Sequence, residues 1–325
     1  MTSELETHFR APREPLVGPG AVDLHARDMT ASFAADVTHG DAQRKLADVG
    51  QWLPVDGPAE ATLGALVDVN STGPLRLGYG AWRDLLLGCQ FTNGRGELIT
   101  AGGRTVKNVA GYDLTKFMVG QRGMFGKLVT LTTRTYRLPD GAVLARHRPD
   151  VSILSKLLPT DLRPQWAVLT PDALLCGYLG GPRTVEWYGA NVGSTEPVGV
   201  FRRPFEADVQ HRQELWDVLG DDRRVRFRAS VPPSQIEGFA EQAGLAKWVA
   251  DAAFGVVIGF APSPEAVPRI RAAAERVGGS AVSHGDAAHA ASVASTNPVE
   301  RRIIERLKAA FDPEHKLSPL PWQVR

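Results

Sequence analysis

Three glycines, Gly120, Gly123 and Gly126, stand three residues apart directly ahead of a β-branched stretch that begins at Lys127. Glycine adopts backbone angles that other residues resist, and it lets main-chain N–H groups come close to a ligand. At the head of a strand, this spacing can lay a row of backbone donors against phosphate oxygens or a ring edge. It is not the dinucleotide fingerprint, which follows a strand and opens a helix; here the order is reversed. In the same stretch, "GGRTVKNVAGYDLTKFMVGQRGMFG", Lys107, Asn108, Tyr112 and Asp113 bring a cation, an amide, a phenol and a carboxylate beside the glycines. A reading without a ligand also exists. Gly111 makes a turn, Asp113 caps a short helix from Leu114 to Val119, and Gly120 ends it. That account explains the turns but not the gathering of four polar groups in one loop.

The elements that must position this loop can be read on either side of it. The first twenty or so residues are rich in Pro, Arg and Gly, without a period, and read as a poorly ordered or wrapping arm (1–21). A strand is expected over Thr30 to Val37. A helix follows in "GDAQRKLADVG", with Asp41 near its start, Leu46 and Val49 on one face and Gly50 as its stop. "WRDLLLGCQFTNGRGELITAGG" holds two apolar runs joined by Thr92 to Gly96, a hairpin signal. "GKLVTLTTRTYRLP" alternates as a half-buried strand. In the second half, strand, helix, strand, helix and strand follow one another from Val225 to Ser283, an arrangement of the ferredoxin-like kind. A last helix, "NPVERRIIERLKAAF", carries Ile303, Ile304, Leu307 and Ala310 at helical spacing. The sequence shows no internal repeat.

Composition narrows the chemistry. The chain has 325 residues, enough for two domains. Its formal charge of +1 offers no electrostatic case for nucleic acid. Two cysteines, Cys89 and Cys176, are too few to ligate an iron–sulfur cluster or a structural zinc alone. No apolar run reaches membrane-spanning length, and the N-terminus is polar; a reducing cytoplasm fits best. His284 and His289, five apart in an Ala/Ser-rich stretch, read as solvated loop residues rather than metal ligands.

The run Lys107-Asn108-x-x-Gly111-Tyr112-Asp113-Leu114, followed by Met118-Val119-Gly120-x-x-Gly123-x-x-Gly126, resembles the PCMH-type flavin domain of the vanillyl-alcohol oxidase family. Within it, the similarity is to the FAD-binding subunits of bacterial glycolate oxidases. "PAEATLGALVDVNSTGPLRLGYGAWRDLLLG" looks like the family's second flavin-contacting loop, so the match runs over roughly residues 55 to 139, and "FDPEHKLSP" echoes its closing motif. The resemblance implies FAD held mostly by backbone. Thr62, Gly64 and Ala65, with Ser71, Thr72 and Gly73, would face the pyrophosphate and flavin. Gly123, Gly126, Leu128 and Val129 would line the adenine and ribose side. Lys107 and Asn108, with Tyr112 in the same motif, would lie nearer the flavin or substrate. The implied fold is α+β: a two-lobed FAD domain to residue 140 with its first lobe shortened, then a ferredoxin-like cap domain over 141–325 whose last helix and tail pack back on the first domain.

Two departures stand out. The glycine-rich pyrophosphate loop of the family's first lobe is missing, because Gly18 and Gly20 flank Pro19, which has no N–H to donate. The closing Asn-Pro-Gly of the family is Ser318-Pro319-Leu320 here. The resemblance implies an FAD-dependent subunit oxidising a small 2-hydroxy acid such as glycolate. Its partners would be a larger homologous flavin subunit and an iron–sulfur subunit, with any membrane association running through them. The competing expectation is a degenerate flavin-domain subunit with a structural or regulatory role and no FAD. A stand-alone oxidase is a third reading; it would need a base and a carboxylate clamp within residues 140–325, and no motif marks either.

Overall fold

The computed structural model describes residues 15–103, 113–217, 225–283, 298–320 and 322. The chain forms two compact units. The first comprises residues 1–73, 79–138 and 294–325; the second comprises 74–78 and 139–293.

In the first unit, β1 (Val22–His25) and β2 (Thr30–Ala34) form an antiparallel pair. Helix α1 (His39–Ala47) follows, its first turn capped by Thr38, whose side chain accepts the Asp41 N–H at 3.1 Å. Leu46 is buried as expected, but Val49 is 41% exposed: the helix closes at Ala47, and Gly50 at φ +68° turns the chain before Val49 can share that face. The chain continues through β3 (Gln51–Trp52), α2 (Leu63–Asp68), α3 (Trp82–Leu85), β4 (Leu86–Thr92), β5 (Leu98–Gly102), α4 (Leu114–Phe117), β6 (Lys127–Arg134) and β7 (Tyr136–Arg137). The sheet order is β1-β2-β6-β4-β5, with β3 and β7 paired separately. The β4–β5 hairpin forms where Asn-Gly foretold it: Asn93 Oδ1 accepts the N–H groups of Arg95 and Glu97, and Gly96 takes φ +81°.

The two faces of this sheet differ. Ala31, Phe33, Cys89, Phe91 and Leu131 enter the core with Leu46, Leu63 and Val67 of the helices. The opposite face is polar: Ser32 and Thr132 hydroxyls meet at 2.9 Å, and Gln90 donates to Thr100. Register slips where Gln90 pairs Thr130 but Phe91 pairs Leu128, so Val129 is an inserted bulge residue whose carbonyl accepts the Ala35 N–H.

The second unit is built from β8 (Gly141–His147), α5 (Ser152–Leu157), β9 (Trp166–Leu169), β10 (Leu174–Gly180), α6 (Pro182–Asn191) and β11 (Gly199–Pro204). After α7 (Phe205–Asp217) come β12 (Val225–Ser230), α8 (Ile236–Ala243), β13 (Trp248–Asp251), β14 (Val256–Ala261), α9 (Val267–Arg276) and β15 (Ser280–Ser283). One eight-stranded antiparallel sheet results, in the order β11-β8-β10-β9-β13-β14-β12-β15. Read outward from the β9–β13 junction, the two halves have the same strand–helix–strand–strand–helix–strand order, so the ferredoxin-like arrangement occurs twice. This corrects the expectation of no internal repeat. The duplication lies in topology, which burial pattern alone maintains, and leaves no repeated residues to see. Strand β13 also escaped the sequence reading, being four buried residues without alternation. The 3₁₀ turn over Pro233–Gln235 leads into α8, which has no side-chain cap.

The helices α5, α6, α8 and α9 cover one face through Leu154, Tyr188, Phe239 and Ile270. On the other face, the Trp166 indole packs against Gly177, where a Cβ would come within 1.9 Å of two ring atoms. The last helix, α10 (Pro298–Phe311), belongs to the first unit; its Ile303, read as a buried-face residue from the spacing, is 52% exposed. Replacing Gly177 by alanine forces the indole off its seat, and we expect a loss of about 1–3 kcal/mol, read as a lowered urea midpoint at unchanged slope.

Candidate functional site

Helix α2 starts the site. Thr62 caps it, its Oγ1 accepting the Ala65 N–H at 3.2 Å. The Leu63 and Gly64 N–H groups donate to the Val37 and Ala35 carbonyls, both at 2.9 Å. Gly64 is glycine for closeness: a Cβ would stand 2.8 Å from the Ala35 oxygen. The donors that this turn was expected to offer a pyrophosphate are thus already bonded within the protein.

At its other end, α2 delivers Asp68, then Asn70 at φ +50°, then the Ser71–Gly73 loop. Ser71 N–H returns to the Leu66 carbonyl, and Gly73 packs so closely on Asp56 that a Cβ would approach its side chain to 2.5 Å. The glycine turn lies against this same end of α2. Gly120 (φ +84°) donates to the Val67 carbonyl at 2.9 Å, Arg122 (φ +56°) to the Asp68 carbonyl at 2.9 Å, and Gly123 (φ +73°) to Asp68 Oδ1 at 3.1 Å. The buried Gln121 amide donates to Asp68 Oδ1 and, at 2.9 Å, to the Gly126 carbonyl, while its oxygen accepts the Phe125 N–H. Gly126 serves packing, since a Cβ there would lie 2.5 Å from the Phe91 ring.

The structure therefore brings the Thr62–Ala65 turn, the Ser71–Gly73 loop and the Gly120–Gly126 turn together through one element, α2. Leu128 follows as a buried residue of β6 and Val129 as its bulge. Lys107, Asn108 and Tyr112 lie outside the described residues, as do His284 and His289. Asp113 caps α4 as expected, accepting the Lys116 N–H, although the helix stops at Phe117. Asp68 and Gln121 were not picked out from sequence. A lone carboxylate and a lone amide fifty-three positions apart carry no local signal.

Burial pushes the Asp68 carboxyl above the ordinary carboxylate range, against the opposing pull of the Gly123 and Gln121 bonds. Burial likewise raises the Cys89 and Cys176 thiols to about 12, so neither is a thiolate at neutral pH. Among the polar atoms near these loops, Asn70 Oδ1, beside Gly120, and Thr115 Oγ1, beside Gly102, are buried without a protein partner; elsewhere in this unit so are Trp82 Nε1 and the hydroxyls of Thr30, Thr130 and Thr133. Orphaned groups of this kind are what a bound polar ligand would satisfy. The residues present fit FAD on that count, through side-chain atoms rather than through the bonded backbone of the turns.

The second unit holds a different cluster. Asp208 is fully buried and accepts from the Trp166 indole at 3.2 Å, from Arg212 at 3.0 Å and from Arg203 at 2.5 Å. Arg203 and Arg212 are held in the interior, at 14% and 6% side-chain exposure. No group of three or more metal-ligating side chains exists among the described residues, and no helix there is long and apolar enough to cross a membrane.

The fold is of the PCMH FAD-binding type, with α+β elements in both units. Residues 19–102 match the family of FAD binding domains, whose cofactor is FAD; that match ends just before the Lys107–Gly126 run. The chain is related to subunits of flavin-linked oxidoreductases. It is 27% identical over 213 residues to the glycolate oxidase subunit GlcE of Escherichia coli K12, covering 63% of this chain and 60% of that one. To the glycolate oxidase subunit GlcD of Bacillus subtilis it is 33% identical over 121 residues, covering 37% and 26%. To the mitochondrial D-lactate dehydrogenase (cytochrome) of Arabidopsis thaliana it is 27% identical over 122 residues, covering 38% and 22%. A solved alkyldihydroxyacetonephosphate synthase superposes with a TM-score of 0.68 at 15% identity, over 90% of this chain and 63% of its own. The chain thus spans less than two thirds of the length of each of these relatives.

Asp68→Asn keeps the acceptor oxygen and removes the buried charge. Because the native Asp68 pKa lies above its unfolded value, the folded wild type holds the extra proton between the two, and its stability falls as pH rises through that window. Denaturant titrations from acid to neutral pH are therefore expected to show Asp68→Asn gaining stability relative to wild type as pH rises, levelling off above the native pKa.

Proposed function

We propose that this chain is the FAD-binding subunit of a glycolate-oxidase-like complex that converts a small 2-hydroxy acid to the 2-oxo acid. The substrate loses two electrons and two protons; bound flavin would take them as a hydride, with the second proton going to a base. The observation that carries this reading is the convergence on α2 of the three motif loops, with the orphaned Asn70 and Thr115 oxygens beside them. In this reading, Ser71, Thr72, Gly73 and Asn70 approach the flavin and pyrophosphate. The turn at Thr62, Gly64 and Ala65 supplies shape. Gly123, Gly126, Leu128 and Val129 border the adenine and ribose, and Lys107, Asn108 and Tyr112 stand toward the reacting ring. Domain boundaries near residue 140, with the C-terminal helix returned to the flavin domain, belong to the same proposal.

Electrons must leave by way of other chains. An iron–sulfur cluster needs about four thiolates, and this chain has two cysteines, both buried. A larger homologous flavin subunit and an iron–sulfur subunit are the partners proposed. Two relatives, both named as subunits of glycolate oxidase, support that.

A second reading has an observation of its own. The N–H groups of Leu63, Gly64, Ala65, Gly120 and Gly123 all bond to protein acceptors, which favours a flavin-type fold kept for structure without FAD. The visible spectrum of the purified chain, alone and co-expressed with its genomic neighbours, separates the two. We expect about one released FAD per chain and flavin bleaching on adding glycolate or D-lactate to the complex. No flavin in either preparation, with FAD in excess, would establish the structural reading instead.

A further inference from the structure

Helix α10 is an outlier: the only residue it buries among those described is a lysine, the type least expected in an interior. Lys308 is 3% exposed, and all three of its ammonium protons are used. They go to Asp312 Oδ2 at 2.6 Å, one turn on and just past the helix's last residue, to the Met124 carbonyl at 2.8 Å, inside the glycine turn, and to the Ser318 carbonyl at 2.8 Å, in the tail. Asp312 is fully buried too. Burial alone would raise its carboxyl, but the Lys308 bond and the N–H groups of Leu317 and Lys316 hold it below the usual range. The tail also touches the turn directly: Ser318 N–H donates to the Gly123 carbonyl at 3.1 Å, and the Ser318 hydroxyl occupies the space a Gly123 Cβ would need. Phe311 adds ring contacts to Phe91, Phe117 and Phe125 with centroids about 6 Å apart.

Asp68 and Lys308 therefore grip the Gly120–Gly126 turn from opposite ends of the sequence. Two of that turn's glycines and Arg122 sit at positive φ, so the turn's shape depends on what holds it. We infer that Lys308 is a positioning residue for the cofactor: its ammonium fixes the glycine turn against α2, and the 298–320 segment is an integral part of the flavin site. This rests on the FAD reading above, and it adds a residue, Lys308, and a role for the tail in holding the glycine turn that the resemblance did not supply. An ammonium suits the task because its three donors diverge to three acceptors from three segments. A guanidinium is planar and cannot reproduce that geometry.

The test uses the full chain with Lys308→Met/Asp312→Asn, which removes the buried pair together and leaves no uncompensated charge. Two readouts are taken: FAD affinity by fluorescence titration, and hydrogen exchange of the 120–126 amides without FAD. We expect at least tenfold weaker FAD binding and lost protection confined to the turn and tail. Ile270→Ala, in the separate core of the second unit, serves as a control for general destabilisation and should leave both readouts at wild-type values. If the double variant does not fold, Lys308→Arg, which retains the Asp312 pair, is expected to show the same two losses. Wild-type affinity and protection in the double variant, or full rescue by arginine, would overturn the inference. If the wild type itself takes no FAD, the functional reading fails, while amide exchange in the ligand-free chain still decides whether Lys308 holds the turn.

Discussion

One carboxylate oxygen organises the first unit. Asp68 Oδ1 accepts from the Gly123 backbone and the Gln121 side chain, joining segments more than fifty residues apart in sequence. Together with the Gly120 and Arg122 N–H bonds to the Val67 and Asp68 carbonyls, that junction seats the left-handed residues of the glycine turn on the end of α2. With it, the Thr62 cap, the Ser71–Gly73 loop and the Gly120–Gly126 turn become parts of one body, so displacing any of them strains the others. The cost is a partly desolvated charge, visible in the raised Asp68 pKa. The fold accepts a carboxylate where an amide would sit more cheaply, and a carboxylate is the stronger acceptor for the two donors it must hold.

Much of this unit is legible in the sequence because local rules govern it. The Asn93-Gly94 hairpin, the Asp113 cap, the stop at Gly50 and the strand from Lys127 each follow from residue types within a few positions. The glycine spacing was legible too, but its meaning was not. Gly120 and Gly123 serve backbone angle and Gly126 serves the Phe91 ring, and their donors turn inward to Val67 and Asp68. A spacing rule registers that glycines are present but not which way their N–H groups point. Residues that act across long sequence distance were invisible for the same reason. Asp68, Gln121, Lys308 and Asp208 have ordinary neighbours, and only the folded chain brings their partners near.

The second unit shows where pattern reading fails for a different cause. Fully buried strands lack alternation, so β13 carries no period to detect, and the first ferredoxin-like half has no local signature in its sequence. The two halves share a topology because the same problem, covering one sheet face with two helices, has the same solution twice. Arg203 and Arg212 are buried for a local reason: Asp208 lies four residues before Arg212 on α7, and the Trp166 indole closes the remaining valence of that carboxylate.

The join between those halves is narrow. Strands β9 and β13 share two residue pairs, Leu169 with Ala250 and Val168 with Asp251, whereas β8 and β10 share seven. Each half therefore closes most of its pairings within its own stretch of chain, and the seam is the one place where the sheet depends on residues some eighty positions apart. A nascent chain can complete the first half before the second has been synthesised. The same seam is the line along which a pulling force would first part the sheet, leaving two small sandwiches, each with its helices still in place.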